Sequence, residues 1–105
     1  MKLRVLDDAE RELRSAALYY EARQNGLGLD FYQRVSDCMS SIASAPLQFA
    51  RYEAVKTKNE FRRAMVERFP YLIVYQVLLV EILVVAITHS SRRPGYWKRR
   101  GSKSQ

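Results

Sequence analysis

The stretch HSSRRPGYWKRRG, residues 89–101, holds the side chains of this chain that are best suited to chemistry. His89 is the only histidine, five Lys or Arg follow it, and Tyr96 and Trp97 lie between them. An imidazole can move protons near neutral pH, and guanidinium groups stabilise charge that develops on phosphate oxygens. Cations interleaved with aromatic rings also suit the binding of nucleic acid or protein. The stretch therefore predicts either phosphate chemistry or recognition.

The catalytic alternative is a ribonuclease that works without a metal. Its candidate groups are the cations and proton carriers Arg62, Arg63, His89, Arg92, Arg93 and Tyr96, of which Arg62, His89, Arg92 and Tyr96 form the smallest set. The strand around Arg62 and the end of the strand before His89 are expected to meet at one edge of a sheet. Against catalysis, a histidine at a strand end is most often structural, and no Cys or Ser stands in a triad order. No CxxC or His/Cys cluster indicates a metal, and no cofactor is expected.

The binding alternative uses much of the same surface. Its candidate target-binding residues are Arg62, Arg63, Arg92, Arg93, Tyr96, Trp97 and Arg99. Trp97 has a competing interpretation, in which it folds back with Tyr96 and caps the sheet, and the arginines remain as the functional groups. Lys56 and Lys58 would extend the basic face from a loop.

The positive charge of the chain is concentrated at its C-terminus. Of the net charge of +7, residues 82–105 contribute six Lys or Arg and no acid, whereas residues 1–81 are almost balanced. Such a block predicts a surface that docks on nucleic acid, an acidic protein or a membrane surface, or else a solvated tail. One cysteine, Cys38, cannot form an internal disulfide, and no signal peptide is evident, so a cytoplasmic setting is expected.

The elements that must position these groups follow from periodicity and punctuation. A strand over 2–6 leads to Asp7 and Glu10, which have the spacing of a helix-capping box. Two helices and three strands follow, at about 8–25, 29–45, 60–69, 70–78 and 81–88, with a turn near Leu79 and Val80. The apolar run 69–88 favours strands over a membrane helix, because it is rich in β-branched residues and contains Glu81. The order predicts a two-layer α+β domain with a helical hairpin on a mostly antiparallel sheet.

The strand pattern makes both faces of this sheet apolar. On one strand, Tyr71, Ile73, Tyr75 and Val77 oppose Leu72, Val74 and Leu78, and on the next, Leu83, Val85 and Ile87 oppose Ile82, Val84 and Ala86. A helical hairpin can cover only one face. The other is expected to be covered by the C-terminal segment or by a partner. On the helices, Tyr20 and Cys38 are expected in the core, and Tyr19 faces outward.

The whole arrangement resembles the RelE/ParE toxin superfamily, and its ParE-like branch more closely. The resemblance rests on Tyr19-Tyr20-Glu21 before Gly26-x-Gly28, on ASAP at 43–46, on FRRAMVERFPYLIVYQV at 61–77, and on VVAITHSSRRPGYWKRR at 84–100. It implies one toxin domain over 1–97 with a basic tail at 98–105.

The resemblance also implies a cytoplasmic toxin neutralised by a cognate antitoxin with an acidic or amphipathic C-terminal segment. The ParE-like branch implies a non-enzymatic poison of DNA gyrase. A RelE-like messenger RNA interferase acting on the ribosome is the alternative. A nucleic-acid-binding module without toxicity is a further one.

Overall fold

The computed structural model describes residues 1–53 and 59–101 and confirms the α+β class. The elements, in chain order, are β1 (Leu3–Val5), α1 (Asp7–Arg23), α2 (Leu27–Ser44), β2 (Arg62–Met65), β3 (Tyr71–Val77), β4 (Ile82–His89) and a 3₁₀ helix (Lys98–Arg100). The two helices pack as a hairpin against the sheet, so the predicted layers are confirmed. Among the described residues, no helix is both long enough and apolar enough to cross a membrane.

The sheet is mixed, with strand order β1-β4-β3-β2. β1 runs parallel to β4, and the other two pairs are antiparallel, as a mostly antiparallel sheet requires. β1 is short and pairs with β4 only over Ile82–Val84. The second half of β4 therefore presents its outer edge beyond the end of β1.

The start of α1 differs from the prediction of a capping box. Leu6 is the N-cap, Asp7 is the first helical residue, and no side chain caps the helix. Leu6 still donates its amide to the carbonyl of Val84 at 3.0 Å, so the chain stays extended until it enters the helix directly. The acidic side chains of the first turn then stabilise the helix through its dipole instead.

The link between the helices is organised by one carboxylate. Glu21 accepts the amide of Gly26 at 2.9 Å and that of Gly28 at 3.0 Å. Gly26 has φ of 88°, a conformation that glycine adopts without strain. A Cβ on Gly28 would stand 2.5 Å from the carbonyl oxygen of Ala17, so the helices approach closely there. The Glu-to-Gly-x-Gly spacing is thus a structural motif of the hairpin, and α2 begins two residues earlier than predicted.

The larger core lies between the helices and one face of the sheet. Phe31 is its centre, fully buried and within 5.2 Å, ring to ring, of Tyr20, Phe69 and Tyr71. Cys38 packs at the margin of this core, and burial raises the pKa of its thiol to about 11. The expected positions of Tyr20 and Cys38 are confirmed, and Tyr19 is 54% exposed.

The opposite face of the sheet is covered by the C-terminal segment of the chain itself. Trp97 is fully buried there and packs against Phe61 and Tyr52, with ring centroids 4.8 and 5.4 Å away. Val74 and Leu83 complete this second cluster from the sheet. Of the two expected covers, the C-terminal segment is the one observed.

Two strand predictions need correction. β2 is shorter than 60–69, because Val66 donates its amide to the carbonyl of Tyr71 as the chain turns back, with Arg68 at φ of 72°. In β4, Ala86 and Ile87 lie on the faces opposite to those predicted. The register passes from Val74↔Ala86 to Tyr75↔Val84, so an extra residue in β4 reverses the alternation. The predicted turn at Leu79 and Val80 is confirmed by the amide of Leu78, which donates to the carbonyl of Glu81 at 2.8 Å.

Candidate functional site

An open cleft of about 590 Å³ lies where the outer edge of β4 extends past β1. One wall is α1, and the other is formed by the end of β4 and the segment that follows it. The lining residues are Asp8, Arg11, Glu12, Ser15, Ala16, Tyr19, Tyr71, Ile87, Thr88, His89, Arg92 and Arg100. The cleft therefore brings the acidic first half of α1 next to the basic C-terminal segment.

The extra residue of β4, Val85, forms the floor of this arrangement. The bulge turns the carbonyl of Val85 and the amide of Ile87 away from β3, and side chains bind both groups. Arg100 donates Nη1 to the Val85 carbonyl at 3.1 Å, and the Ile87 amide donates to Oε1 of Glu12 at 3.0 Å. An edge that would be open to another strand is thus closed by one acid and one arginine.

Glu12 connects helix, strand and C-terminal segment. Besides the Ile87 amide, it accepts the hydroxyl of Tyr96 at 2.6 Å and Nη1 of Arg100 at 3.0 Å, and its side chain is only 17% exposed. Burial, reinforced by the hydrogen bond to the carboxylate, raises the pKa of Tyr96 to about 12. Tyr96 is therefore a proton donor held in place, and it does not ionise near neutral pH.

The two arginines near Tyr96 differ in their surroundings. Arg100 pairs with Glu12 and also lies 3.7 Å from Asp8, so two carboxylates balance its charge. Arg92 is exposed, and its guanidinium stacks on the Tyr96 ring at 3.7 Å from the ring centroid. The chain from Glu12 through Tyr96 fixes where Arg92 presents its charge.

His89 ends β4 at the mouth of the cleft. Its Nδ1 accepts the amide of Ser91 at 3.1 Å and lies 2.8 Å from the Ser91 hydroxyl, and its ring packs on Tyr71 at 5.3 Å. These contacts orient the ring as a strand-end histidine would be oriented. His89 and Arg92 still share the cleft, so both remain available to a ligand there.

Arg62 and Arg63 lie elsewhere, and the expected meeting at one edge is wrong. β3 separates β2 from β4, which places these arginines at the opposite side of the sheet. Arg62 donates to the carbonyl of Phe49 at 2.6 Å and pairs with Glu60 at 2.9 Å, a role in holding the preceding loop. Arg63 lies over the ring of Tyr52 at 5.1 Å.

The remaining predicted groups divide into exposed and buried ones. Arg93, Lys98 and Arg99 are exposed. Trp97 has no exposed surface, which supports the packing interpretation and does not fit direct contact with a target. Of the predicted basic tail, Lys98–Arg100 form a 3₁₀ helix. Lys56, Lys58 and residues 102–105 lie outside the described residues.

Sequence reasoning missed Glu12 and Asp8 as site residues. Both precede the cleft by more than 70 positions in the chain, and charged residues on an amphipathic helix are usually solvated. The available signal was the spacing of Asp8 and Glu12, which places two acids on one helical face. Nothing in the sequence assigns that face to the C-terminal arginines. Within residues 1–53 and 59–101, no group of His, Cys, Asp and Glu is arranged to hold a metal ion.

Comparison with known proteins shows the family. Residues 3–94 match the family described as the ParE toxin of the type II toxin-antitoxin system, parDE. The chain belongs to the ParE toxin family. Tyr96, Trp97 and Arg100 lie beyond the matched residues, so the contacts they make with Glu12 and the sheet are features that the family match does not cover.

A solved structure supports the same fold. The ParE-family chain is similar to a chain of the chromosomal ParDE TA system from P. aeruginosa, with a TM-score of 0.71 at 20% sequence identity. The match covers 85% of this chain and 95% of that one. A comparison with curated proteins found no significant match.

Proposed function

We propose that this chain is the toxin of a cytoplasmic toxin–antitoxin pair and that it blocks replication by inhibiting DNA gyrase. The single observation that carries the choice of a binding mechanism is the fate of the candidate catalytic set. Arg62 is held at the far edge of the sheet, and Tyr96 is tied to Glu12 with a raised pKa. Arg92 and Arg93, by contrast, are exposed and ready for contact with a macromolecule.

Cleavage of messenger RNA on the ribosome is the second candidate. His89 and Arg92 favour it, because both line the cleft and could act on a phosphate group placed there. Tyr96 would have to leave Glu12 before it could exchange a proton with substrate. The two candidates use one surface, so a cellular readout must separate them.

A cognate antitoxin is the proposed partner that neutralises the toxin. The sheet face is already covered from within the chain, so it no longer supports this proposal. Support comes from the outer side of the helical hairpin, where Leu18 and Leu29 are 71% and 75% exposed and Tyr32 is 39% exposed. This patch suits the apolar side of an amphipathic segment, and the basic C-terminal segment suits its acids.

The test is pulse labelling after induced expression of the chain alone, with DNA and protein synthesis followed separately in the same cells. Gyrase inhibition predicts an early stop in DNA synthesis while translation continues. The double variant Arg92→Glu/Arg93→Glu should abolish growth arrest and keep the wild-type melting temperature, because both side chains are exposed. An early stop in translation, or full arrest by the folded double variant, would contradict the proposal.

A further inference from the structure

The segment after β4 presents cations to solvent and turns its aromatic groups inward. Arg92, Arg93, Lys98 and Arg99 are exposed, and residues 82–101 contain no acid. We call these four side chains the basic surface. Trp97 lies between them in the chain, yet its indole is fully buried against the sheet. The surface thus offers charge without an apolar anchor.

The acids nearest in space are engaged by other arginines. Asp8 pairs with Arg11 and lies 3.7 Å from Arg100, and Glu12 pairs with Arg100 at 3.0 Å. The Glu12 network therefore balances Arg100 and holds the segment in place. The charge of the basic surface remains directed outward.

The geometry also argues about which anion suits this surface. A protein interface draws most of its affinity from buried aromatic or apolar anchors, and single-stranded nucleic acid binds by stacking bases on exposed rings. Here the Tyr96 ring has Arg92 at 3.7 Å and Arg100 at 5.0 Å from its centroid, and Trp97 is inaccessible. Neither ring can serve as an anchor or a stacking platform. An array of phosphates requires only cations.

We propose that the basic surface binds the phosphate backbone of duplex DNA, without reading base sequence. This property goes beyond action on gyrase and is independent of it, because it needs only the chain and DNA. If gyrase is the target, the surface would add a contact to the DNA that the enzyme holds. If gyrase is not the target, the DNA contact is unaffected.

The four cations set the expected salt dependence. Neutralising phosphates releases counterions, and the logarithm of the association constant falls with the logarithm of salt concentration by about 0.9 for each contact on B-DNA. Up to four contacts predict a slope of about −3 to −4. Affinity should then fall by roughly a hundred-fold between 50 and 200 mM salt.

The experiment measures fluorescence anisotropy of labelled duplexes of two unrelated sequences, titrated with the full chain over that salt range. The variants Arg93→Gln and Arg99→Gln should each make the slope shallower by about one. The matched control is Arg14→Gln, which removes the same charge from an exposed position beside Leu18 on the outer side of the hairpin. It should leave the slope unchanged.

Four results would overturn the proposal. Equal effects of Arg14→Gln and Arg93→Gln would mean that only the overall charge of the chain matters. Stronger binding to single strands than to duplex would mean that bases are stacked. Displacement of the chain from DNA by polyglutamate at equal charge concentration would point to an acidic protein partner. Preference for one of the two sequences would show base recognition.

Discussion

At the scale of single residues, Glu12 determines the form of the site. One carboxylate accepts a strand amide, a tyrosine hydroxyl and a guanidinium, and so holds the C-terminal segment on β4. Hydrogen bonds to a charged acceptor contribute about 1.5–3 kcal/mol each, and most of this is lost when the acceptor is removed. The arrangement separates Arg100, whose charge is balanced, from Arg92, whose charge is presented.

Tyr96 provides a pH-dependent prediction. Its pKa is about 12 in the folded chain, against 10.0 for an ordinary tyrosine. As pH rises above 10, the unfolded chain loses the phenolic proton first, so the stability that this group contributes is complete below pH 10 and lost by about pH 12. Tyr75, also raised to about 12, adds to the same loss. The urea midpoint of the wild type should therefore fall between pH 8 and pH 11.

The variant Tyr96→Phe isolates one part of this effect. It removes the titrating hydroxyl and keeps the ring under Arg92, so its urea midpoint should fall less over the same pH interval. Tyr75→Phe serves as the comparison for the other buried phenol. A midpoint of the wild type that stays constant to pH 11, or an equal fall in Tyr96→Phe, would contradict the assignment.

At the scale of elements, the hairpin and the strand order were predictable because each follows from local pattern. Helical periodicity between Asp7 and Ser44, glycine at the link, and the alternation on β3 specify the layers. The bulge at Val85 was not predictable, because β-branched residues continue through it without a break. That one residue reversed the predicted faces of Ala86 and Ile87. It also created the two backbone groups that Glu12 and Arg100 bind.

The close approach of the helices at Gly28 gives a prediction for the hairpin. In Gly28→Ala the added Cβ meets the carbonyl oxygen of Ala17 at 2.5 Å, and backbone atoms cannot yield as a side-chain tip can. We expect a loss of about 1–3 kcal/mol in the free energy of unfolding, measured by urea denaturation. Ser36→Ala, at an exposed position of α2, should change it by less than about 0.5 kcal/mol. Equal stability of the two variants would show that the helices can move apart at no cost.

At the scale of the whole molecule, the C-terminal segment is part of the fold and part of the site. The sequence predicted that an uncovered apolar sheet face needs a cover, and it left two covers open. It could not place Arg62 away from His89, because strand order depends on contacts between distant segments. Nor could it place Glu12 under Tyr96, since only the folded chain brings α1 beside the end of β4.

Trp97 tests how much this cover stabilises the chain. Trp97→Ala removes a fully buried indole that packs on Phe61 and Tyr52, and we expect a loss of about 3–5 kcal/mol. Leu79→Ala is the control, because Leu79 is 96% exposed at the β3–β4 turn and should have little effect on the urea midpoint. If Trp97→Ala fails to fold, Trp97→Phe should show a smaller loss in the same measurement. A loss below about 1 kcal/mol in Trp97→Ala would mean that the segment is not a structural cover.

The most direct measurement of the central claim uses purified gyrase, relaxed plasmid, ATP and the purified chain. The account predicts that supercoiling is inhibited and that linear DNA, covalently held by gyrase, accumulates with increasing toxin. The folded variant Arg92→Glu/Arg93→Glu should give neither effect. Undiminished supercoiling at toxin concentrations in large excess over gyrase, together with messenger RNA cleavage when ribosomes are supplied, would contradict the account and transfer the function to the RNA-cleaving alternative.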